Sequence, residues 1–191
     1  MFIQRGAARV LAPLLLTLAL IAPGAAQAAV VEDYAGYQGQ SKCSPRAKAG
    51  TKYLARWLVT KYGGRQGGIS RACGGGASEH KEGRAFDWSL DAAKKADRKR
   101  ARAFLADAFA TDKKGNEHAK ARRMGVMYII WNDRMYPAWD RFDPKPYLSS
   151  SCPKKRKCSK TLRHRDHMHI SLTRKGGKAR TSWFQSRLAK D

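Results

Sequence analysis

Two stretches decide how this sequence is interpreted: SEHKEGRAFDW, residues 78–88, and HRDHMH, residues 164–169. The first holds a histidine and an acid, His80 and Asp87, separated by six residues that include a glycine, and the second holds a His-x-His. Two imidazoles and one carboxylate can bind a single cation. Three protein ligands that leave the fourth position open are typical of a catalytic zinc, whereas structural zinc sites are closed by a fourth ligand. The two stretches therefore predict one metal site.

Both stretches alternate with the period of a β-strand, so that neighbouring residues point to opposite faces. In the first, the residues on the core face are Arg84, Phe86 and Trp88, and those on the other face are Ala85, Asp87 and Ser89. In the second, the core face has Met168, Ile170 and Leu172, and the other face has His167, His169 and Ser171. The candidate ligands thus share the face away from the core on each predicted strand.

The N-terminus has the pattern of a secretory signal peptide. Arg5 and Arg9 precede an apolar run from Leu11 to Ile21, and Ala26-Gln27-Ala28 supplies small residues at a cleavage site. The apolar run is too short for a membrane span. We therefore predict a signal peptide over residues 1–28, a secreted protein, and no transmembrane segment in the mature chain.

The rest of the chain has the length of one domain. Residues 29–43 lack a clear period and predict an irregular arm, which leaves residues 44–191 for a single domain. In an oxidising compartment the four cysteines predict disulfides rather than metal thiolates. Three pairings are possible. We favour Cys43 with Cys73 and Cys152 with Cys158, which would close a small loop containing Lys-Lys-Arg-Lys.

The net charge of the chain limits the classes of molecule that it is expected to bind. The chain carries 39 Lys and Arg against 15 Asp and Glu, a formal charge of +24, and removing residues 1–28 with their two arginines would leave +22. A charge of this size favours polyanions, which could be nucleic acid in a cell or teichoic acids, peptidoglycan carboxylates and anionic lipid outside a bacterium. Charge alone gives non-specific affinity and defines no function.

Helical patterns occur on either side of the first stretch. Ser44 as an N-cap, followed by Pro45, predicts a helix that ends at Gly63-Gly64. A charged segment from Asp91 to about Ala110 predicts a second helix that covers the sheet, and residues 116–123 predict a short turn of helix in which His118 is a surface residue. Thr181 to Leu188 predicts a final helix with Trp183, Phe184 and Leu188 on one face.

Further strands complete the expected fold. Residues 67–71 predict a short strand, and the apolar residues 125–131 predict a strand in the centre of a sheet. Residues 132–163 are rich in Pro, Ser and Lys and predict a long loop that shapes a cleft. Aromatic residues in this part of the chain could wall a groove or belong to the core: Tyr128, Trp131, Tyr136 and Trp139. The fold class predicted is α+β.

The two motifs together resemble those of the zinc peptidases that cut peptidoglycan, which include D-Ala-D-Ala peptidases, lysostaphin-type endopeptidases and penicillin-insensitive murein endopeptidases. The resemblance rests on residues 78–87 and 164–171. It implies a hedgehog/D-Ala-D-Ala-peptidase-like fold, with a small central antiparallel sheet flanked by helices. It also implies that Zn²⁺ is held by His80, Asp87 and His169.

The resemblance leaves two candidates for the general base. Carboxypeptidase-like members place an acid three residues before the last ligand, where this chain has Asp166, and endopeptidase-like members use the first His of His-x-His, here His167. Strand geometry favours His167, which shares a face with His169. His164 resembles a further functional histidine of the murein endopeptidases. Arg71 occupies the region where carboxypeptidase-like members place an arginine that contacts substrate.

These observations predict a secreted, monomeric zinc peptidase that acts on peptidoglycan stem peptides or cross-links and is held on anionic wall polymers by its basic surface. The Lys-Lys-Arg-Lys loop could contribute to that binding or be merely solvated. One alternative is a cell-wall-binding module that keeps the zinc without catalysis. A second is a secreted cationic nuclease or nucleic-acid binder, although the export signal and the alternating ligand strands argue against specific nucleic-acid binding.

Overall fold

A computed structural model describes residues 30–188, so the predicted signal peptide lies outside the described residues. The part described is an α+β domain with a six-stranded antiparallel sheet, which confirms the predicted fold class. The strands are β1 (Arg65–Gln66), β2 (Ala85–Ser89), β3 (Val126–Trp131), β4 (Arg134–Pro137), β5 (Lys145–Pro146) and β6 (His167–Leu172). The helices are α1 (Ala49–Tyr62), α2 (Lys95–Phe109), α3 (Ala119–Met124), α4 (Arg174–Gly177) and α5 (Ser182–Leu188). Short 3₁₀ turns are Glu79–Glu82, Ala138–Asp140 and Lys155–Lys157.

The strand order is β1-β2-β6-β3-β4-β5, so β6 and β3 occupy the middle of the sheet. Every residue of β3 is buried, as its continuous apolar character predicts for a central strand. The last strand, β6, lies between two strands that precede it in the chain and pairs with both.

The hydrophobic core lies on one face of this sheet. Strands β2 and β6 contribute alternate residues to it, and helices α1, α2, α3 and α5 pack against them. The fully buried strand residues of this core include Phe86, Trp88, Met168, Ile170 and Leu172. The polar residues Asp87, His167 and His169 alternate with these core residues along β2 and β6 and line a cavity instead.

Helix α1 begins at Ala49, and the predicted start at Ser44 is wrong. The backbone N–H of Ser44 donates to the Lys81 carbonyl and that of Lys48 donates to the Gly83 carbonyl, at 2.7 and 2.9 Å. These tertiary hydrogen bonds hold the segment extended against the first motif. Residues 30–48 contain no helix or strand.

Helix α2 likewise begins four residues later than predicted, at Lys95. Asp91 forms a local turn instead, because its carboxylate accepts from the Ala93 N–H at 2.9 Å and its carbonyl accepts from the Lys94 N–H at 2.9 Å. Asp and Asn compete with helix formation through such side-chain contacts. The predicted strand at residues 67–71 is also displaced, to β1 at Arg65–Gln66.

The long loop predicted for residues 132–163 is only partly correct, because the segment contains β4 and β5. Strands β3 and β4 form a hairpin through Asn132 and Asp133, both with positive φ, 49° and 65°. This is the conformation of a type I′ turn, in which Asn and Asp are favoured. The Asn-Asp pair after an apolar run was the sequence signal for this hairpin.

Two smaller expectations also fail. Leu188 does not share the buried face of α5, since its side chain is 42% exposed while Trp183 and Phe184 are buried. His118 is not a simple surface residue, because its Nδ1 lies 2.8 Å from the Tyr34 hydroxyl and its ring contacts Phe142. The irregular arm thus packs on the domain through Tyr34, a partner that local sequence does not indicate.

The two disulfides pair as predicted. Cys43 is bonded to Cys73 with a Cα–Cα distance of 5.9 Å, and Cys152 to Cys158 with 5.6 Å. The first ties the N-terminal arm to the loop before the first motif. Across residues 30–188, none of the helices combines the length and apolar character that a membrane span requires.

Candidate metal centre

Strands β2 and β6 bring two of the predicted ligands together. Asp87 and His169 are directly opposite each other in the antiparallel register, on the face away from the core. Directly opposed residues have side chains within reach of each other. As a result, Asp87 Oδ1 lies 3.1 Å from His169 Nδ1.

His80 reaches the same point from the 3₁₀ turn that precedes β2. Gly83 ends this turn with φ of 63°, a left-handed conformation that glycine adopts readily because it has no Cβ. A Cβ at this position would also lie 2.1 Å from the Arg46 carbonyl oxygen. With the chain turned in this way, His80 Nε2 lies 3.1 Å from Asp87 Oδ1 and 3.2 Å from His169 Nδ1.

The three donor atoms form a nearly equilateral triangle with sides of 3.1 to 3.2 Å, and they could hold a metal ion. Tetrahedral zinc bound to nitrogen and oxygen at about 2.0–2.1 Å has ligand atoms about 3.3 Å apart. The triangle is therefore of the right size for zinc. Two imidazole nitrogens and one carboxylate oxygen are also donors that zinc accepts.

The protonation states suit metal binding. Burial lowers the pKa of His169, which favours the neutral imidazole that a metal ion requires. Burial alone would raise the pKa of Asp87, but hydrogen bonds with His169 and His80 outweigh it and hold this pKa below its usual range. The site thus combines a carboxylate with a neutral imidazole.

Both histidines have a second contact that fixes the ring. His80 Nδ1 lies 3.0 Å from the Ile69 carbonyl oxygen, which can only accept, so His80 donates there and leaves Nε2 for a metal ion. His169 Nε2 lies 2.9 Å from Ser171 Oγ. Contacts of this kind orient the histidine ligands of metal sites.

The two candidates for the general base contact each other. His167 Nδ1 lies 2.7 Å from Asp166 Oδ1, and His167 Nε2 lies 3.7 Å from Asp87 Oδ1. His167 therefore faces the triangle, whereas Asp166 lies behind it and also accepts a hydrogen bond from Thr161 Oγ1 at 2.5 Å. This is the arrangement of a histidine oriented by an acid.

His164 lies beside these groups. Its ring centroid is 4.7 Å from that of His167 and 5.0 Å from that of Tyr147. Burial, followed by the positive charges that His169 and His167 can carry, lowers the pKa of His164 to about 3. His164 is thus a neutral wall of the site near neutral pH, and its Nδ1 has no hydrogen-bond partner within residues 30–188.

A cavity of about 540 Å³ opens over the triangle, and Arg71 is an exposed residue at its rim. No carboxylate lies within salt-bridge distance of Arg71 in the part of the chain described. Its guanidinium is available to an anionic ligand. The structure thus brings every predicted site residue to one cavity or its immediate surroundings.

Only part of the expected aromatic groove is formed. Tyr128 lines the cavity, and Trp139, 40% exposed, lines an adjoining groove. Trp131 and Tyr136 instead belong to the hydrophobic core or pack against it. The alternation along β3 could have separated Tyr128 from Trp131, which are three residues apart on this strand.

Sequence reasoning missed Glu79. This acid is buried next to the cavity, and its Oε2 accepts a hydrogen bond of 2.6 Å from the Tyr128 hydroxyl. The Tyr128 ring stacks on His169 with an interplanar angle of 19°. An acid in a glycine-flanked turn has the pattern of a solvated residue, and only the position of β3 in the sheet places Tyr128 against it.

Fold and site together define an α+β domain with a His–Asp–His group that could hold a metal ion. The chain belongs to the family described as "VldE, C-terminal domain", whose model matches residues 41–153. No curated protein and no solved structure matches the chain. The matched range includes His80 and Asp87 and ends before His169, so the family match covers two of the three candidate ligands.

Proposed function

We propose that this protein is a secreted zinc-dependent peptidase that hydrolyses amide bonds in peptidoglycan stem peptides or cross-links. The observation that carries the proposal is the triangle of His80 Nε2, Asp87 Oδ1 and His169 Nδ1, with an oriented His167 beside it. The same two motifs carry the resemblance to the zinc peptidases of peptidoglycan and to their hedgehog/D-Ala-D-Ala-peptidase-like fold.

Zinc, when bound, lowers the pKa of water toward ~7 and polarises a scissile carbonyl. The chain's own residues supply the other requirements. His167 Nε2 takes a proton from the attacking water and later gives it to the leaving amine, while Asp166 holds the ring and stabilises its protonated form. Arg71 at the rim binds a substrate carboxylate or the developing oxyanion. His164 forms a neutral wall of the cavity.

The charge of the chain supports a wall substrate. The formal charge of +24, which becomes +22 once residues 1–28 and their two arginines are removed, attracts anionic polymers at the cell surface and concentrates a peptidase on its substrate. The Cys152–Cys158 loop presents exposed lysine and arginine close to Ser149 and Ser151, which line the cavity. In this proposal the protein acts as a monomer and needs no nucleic acid.

Digestion of purified peptidoglycan sacculi tests the proposal. The zinc-loaded chain should release peptides that mass spectrometry identifies, and a chelator should stop the release. Readdition of zinc should restore it. The His167→Ala variant provides the matched control, because it keeps the three ligands but lacks the proposed base.

Two other outcomes would point to different functions. Stoichiometric zinc without any released peptide, together with retention on sacculi, would favour a non-catalytic wall-binding module. Cleavage of DNA or RNA under the same conditions would favour a nuclease. Either result would contradict the peptidase.

A further inference from the structure

A second pocket, of about 210 Å³, lies between helix α2 and the β3–β4 hairpin, and it shares no lining residue with the cavity over the candidate metal centre. Three of its lining residues are arginines, Arg98, Arg102 and Arg134, and none of them is acidic. We call it the arginine pocket. Like charges at close range repel each other, so an anion bound among the three guanidinium groups would relieve this repulsion.

Helix α2 and the hairpin bring the three arginines together from opposite sides. Arg98 and Arg102 are four residues apart on α2, so they are neighbours on one face of the helix. Arg134 is directly opposite Trp131 in the register of β3 and β4, after the tight turn that contains Asn132. The pocket thus forms where this helix face meets the beginning of β4.

Two of the three guanidinium groups have no partner in the part of the chain described. Arg102 and Arg134 are exposed, and neither guanidinium donates a hydrogen bond or forms a salt bridge within residues 30–188. Arg98 donates from Nη1 to the Ala92 and Ala93 carbonyls at 2.8 and 2.7 Å. These contacts orient its guanidinium and leave the N–H groups of Nε and Nη2 for a ligand.

The acids that are adjacent in sequence are engaged elsewhere. Asp133, the residue before Arg134, accepts two hydrogen bonds of 2.8 Å from Arg163. Asp97, in the first turn of α2, forms a salt bridge of 2.7 Å with Arg100. Neither carboxylate therefore neutralises the arginine pocket.

We propose that the arginine pocket binds a phosphate group, carried by a small phosphate ester or by a phospholipid headgroup. The planar fork of a guanidinium matches the oxygen atoms of phosphate. A phosphate monoester presents three acceptor oxygens and a charge of about −2 at pH 7, which suits three arginines better than the two oxygens and single charge of a carboxylate. The pocket is smaller than the roughly 300–1,000 Å³ typical of sites for drug-sized ligands, as expected for a group of a few atoms.

Titration with inorganic phosphate at constant ionic strength tests the site at single side chains. Nuclear magnetic resonance of the purified chain with ¹⁵N-labelled arginine follows the Nε–H signal of each guanidinium. We expect saturable shifts for Arg98, Arg102 and Arg134. Acetate, which offers a carboxylate, should bind more weakly than phosphate.

Substitutions measure what each side of the pocket contributes. Arg102→Ala and Arg134→Ala should each weaken phosphate binding by about 10-fold or more, because each removes charge-assisted hydrogen bonds to the anion. Arg102→Lys keeps the charge but loses the planar fork, so it should also weaken binding. Arg56→Ala is the matched control, since it removes an exposed arginine of α1 that does not line the pocket and changes the net charge equally.

Two further probes distinguish the sources of the phosphate group. Glycerol 3-phosphate presents it on a soluble molecule, and vesicles of phosphatidylcholine with phosphatidic acid present it on a membrane. A difference between Arg102→Ala and Arg56→Ala with the soluble ester alone would assign a small phosphate ester. A difference with the vesicles would assign a lipid headgroup, and no difference with either probe would contradict the site.

Three other results would overturn the inference. Equal losses of phosphate binding in Arg56→Ala and in the pocket variants would show that only net charge matters. Acetate bound as tightly as phosphate would exclude a phosphate site. His169→Ala should bind phosphate like the wild type, and a loss in this variant would place the anion at the candidate metal centre. A chain that binds phosphate in the arginine pocket but binds no zinc would contradict only the proposed peptidase, so the two failures can be told apart.

Discussion

Strand β6 has two faces whose residues alternate along the chain but differ in almost every property. Met168, Ile170 and Leu172 are fully buried in the core. The residues of the other face, His167, His169 and Ser171, are polar and hydrogen-bonded, and the two histidines line the cavity. One strand therefore contributes to both the hydrophobic core and the candidate metal centre. Substitutions at adjacent positions should consequently have separable effects.

The largest effect is expected from His169→Ala, on the site face. Removing one of three ligands should abolish stoichiometric zinc binding, while the packing of the core face remains. Elemental analysis after dialysis measures the zinc, and circular dichroism checks the fold. A folded variant with full zinc content would show that His169 is not a ligand.

His167→Ala should have the second-largest effect, and it should lower only the rate of peptide release. Loss of a general base typically costs about 10²- to 10⁴-fold in turnover. Zinc content should remain that of the wild type, because the triangle does not include this residue. Peptide release from sacculi measures the rate, and a variant with undiminished turnover would remove His167 from the proposed mechanism.

Ile170→Ala, one position along from His169, should have the opposite effect to His169→Ala: it should lower the folding stability and leave zinc binding intact. Truncation of a fully buried Ile costs about 2–5 kcal/mol of folding free energy. Denaturant unfolding should show this loss, and zinc stoichiometry below the transition should be unchanged. If zinc binding fails in folded protein, the two faces are not independent.

The smallest effect is expected from Met168→Leu. A hydrophobic exchange of similar volume in a core costs less than about 1.5 kcal/mol. An exchange of comparable conservatism on the site face, His169→Gln, should still remove the metal ion. Unfolding and zinc measurements on both variants would show whether one face tolerates a change of shape and the other depends on specific atoms.

Much of this arrangement can be predicted from sequence because it depends on local periodicity. The alternation correctly assigns five residues to the core, Phe86, Trp88, Met168, Ile170 and Leu172, and three to the cavity, Asp87, His167 and His169. The continuous apolar run of β3 indicates its central place in the sheet. In both cases, the order of apolar and polar residues along the strand indicates which side chains are buried.

The failures have a different origin. Ser44 and Pro45 form a good local start for a helix, but hydrogen bonds to Lys81 and Gly83 hold this segment extended. The contact of Glu79 with Tyr128 depends on β6 lying between β2 and β3. Such long-range contacts leave no local signature in the chain.

The position of β6 also has a consequence for the order of events during synthesis. Strands β2 and β3 are made first, yet they do not pair with each other and must wait for β6 to fill the space between them. Late insertion of a central strand is a non-local and therefore slow step of folding. Until it occurs, Asp87 has no histidine opposite it, and the His–Asp–His group cannot form.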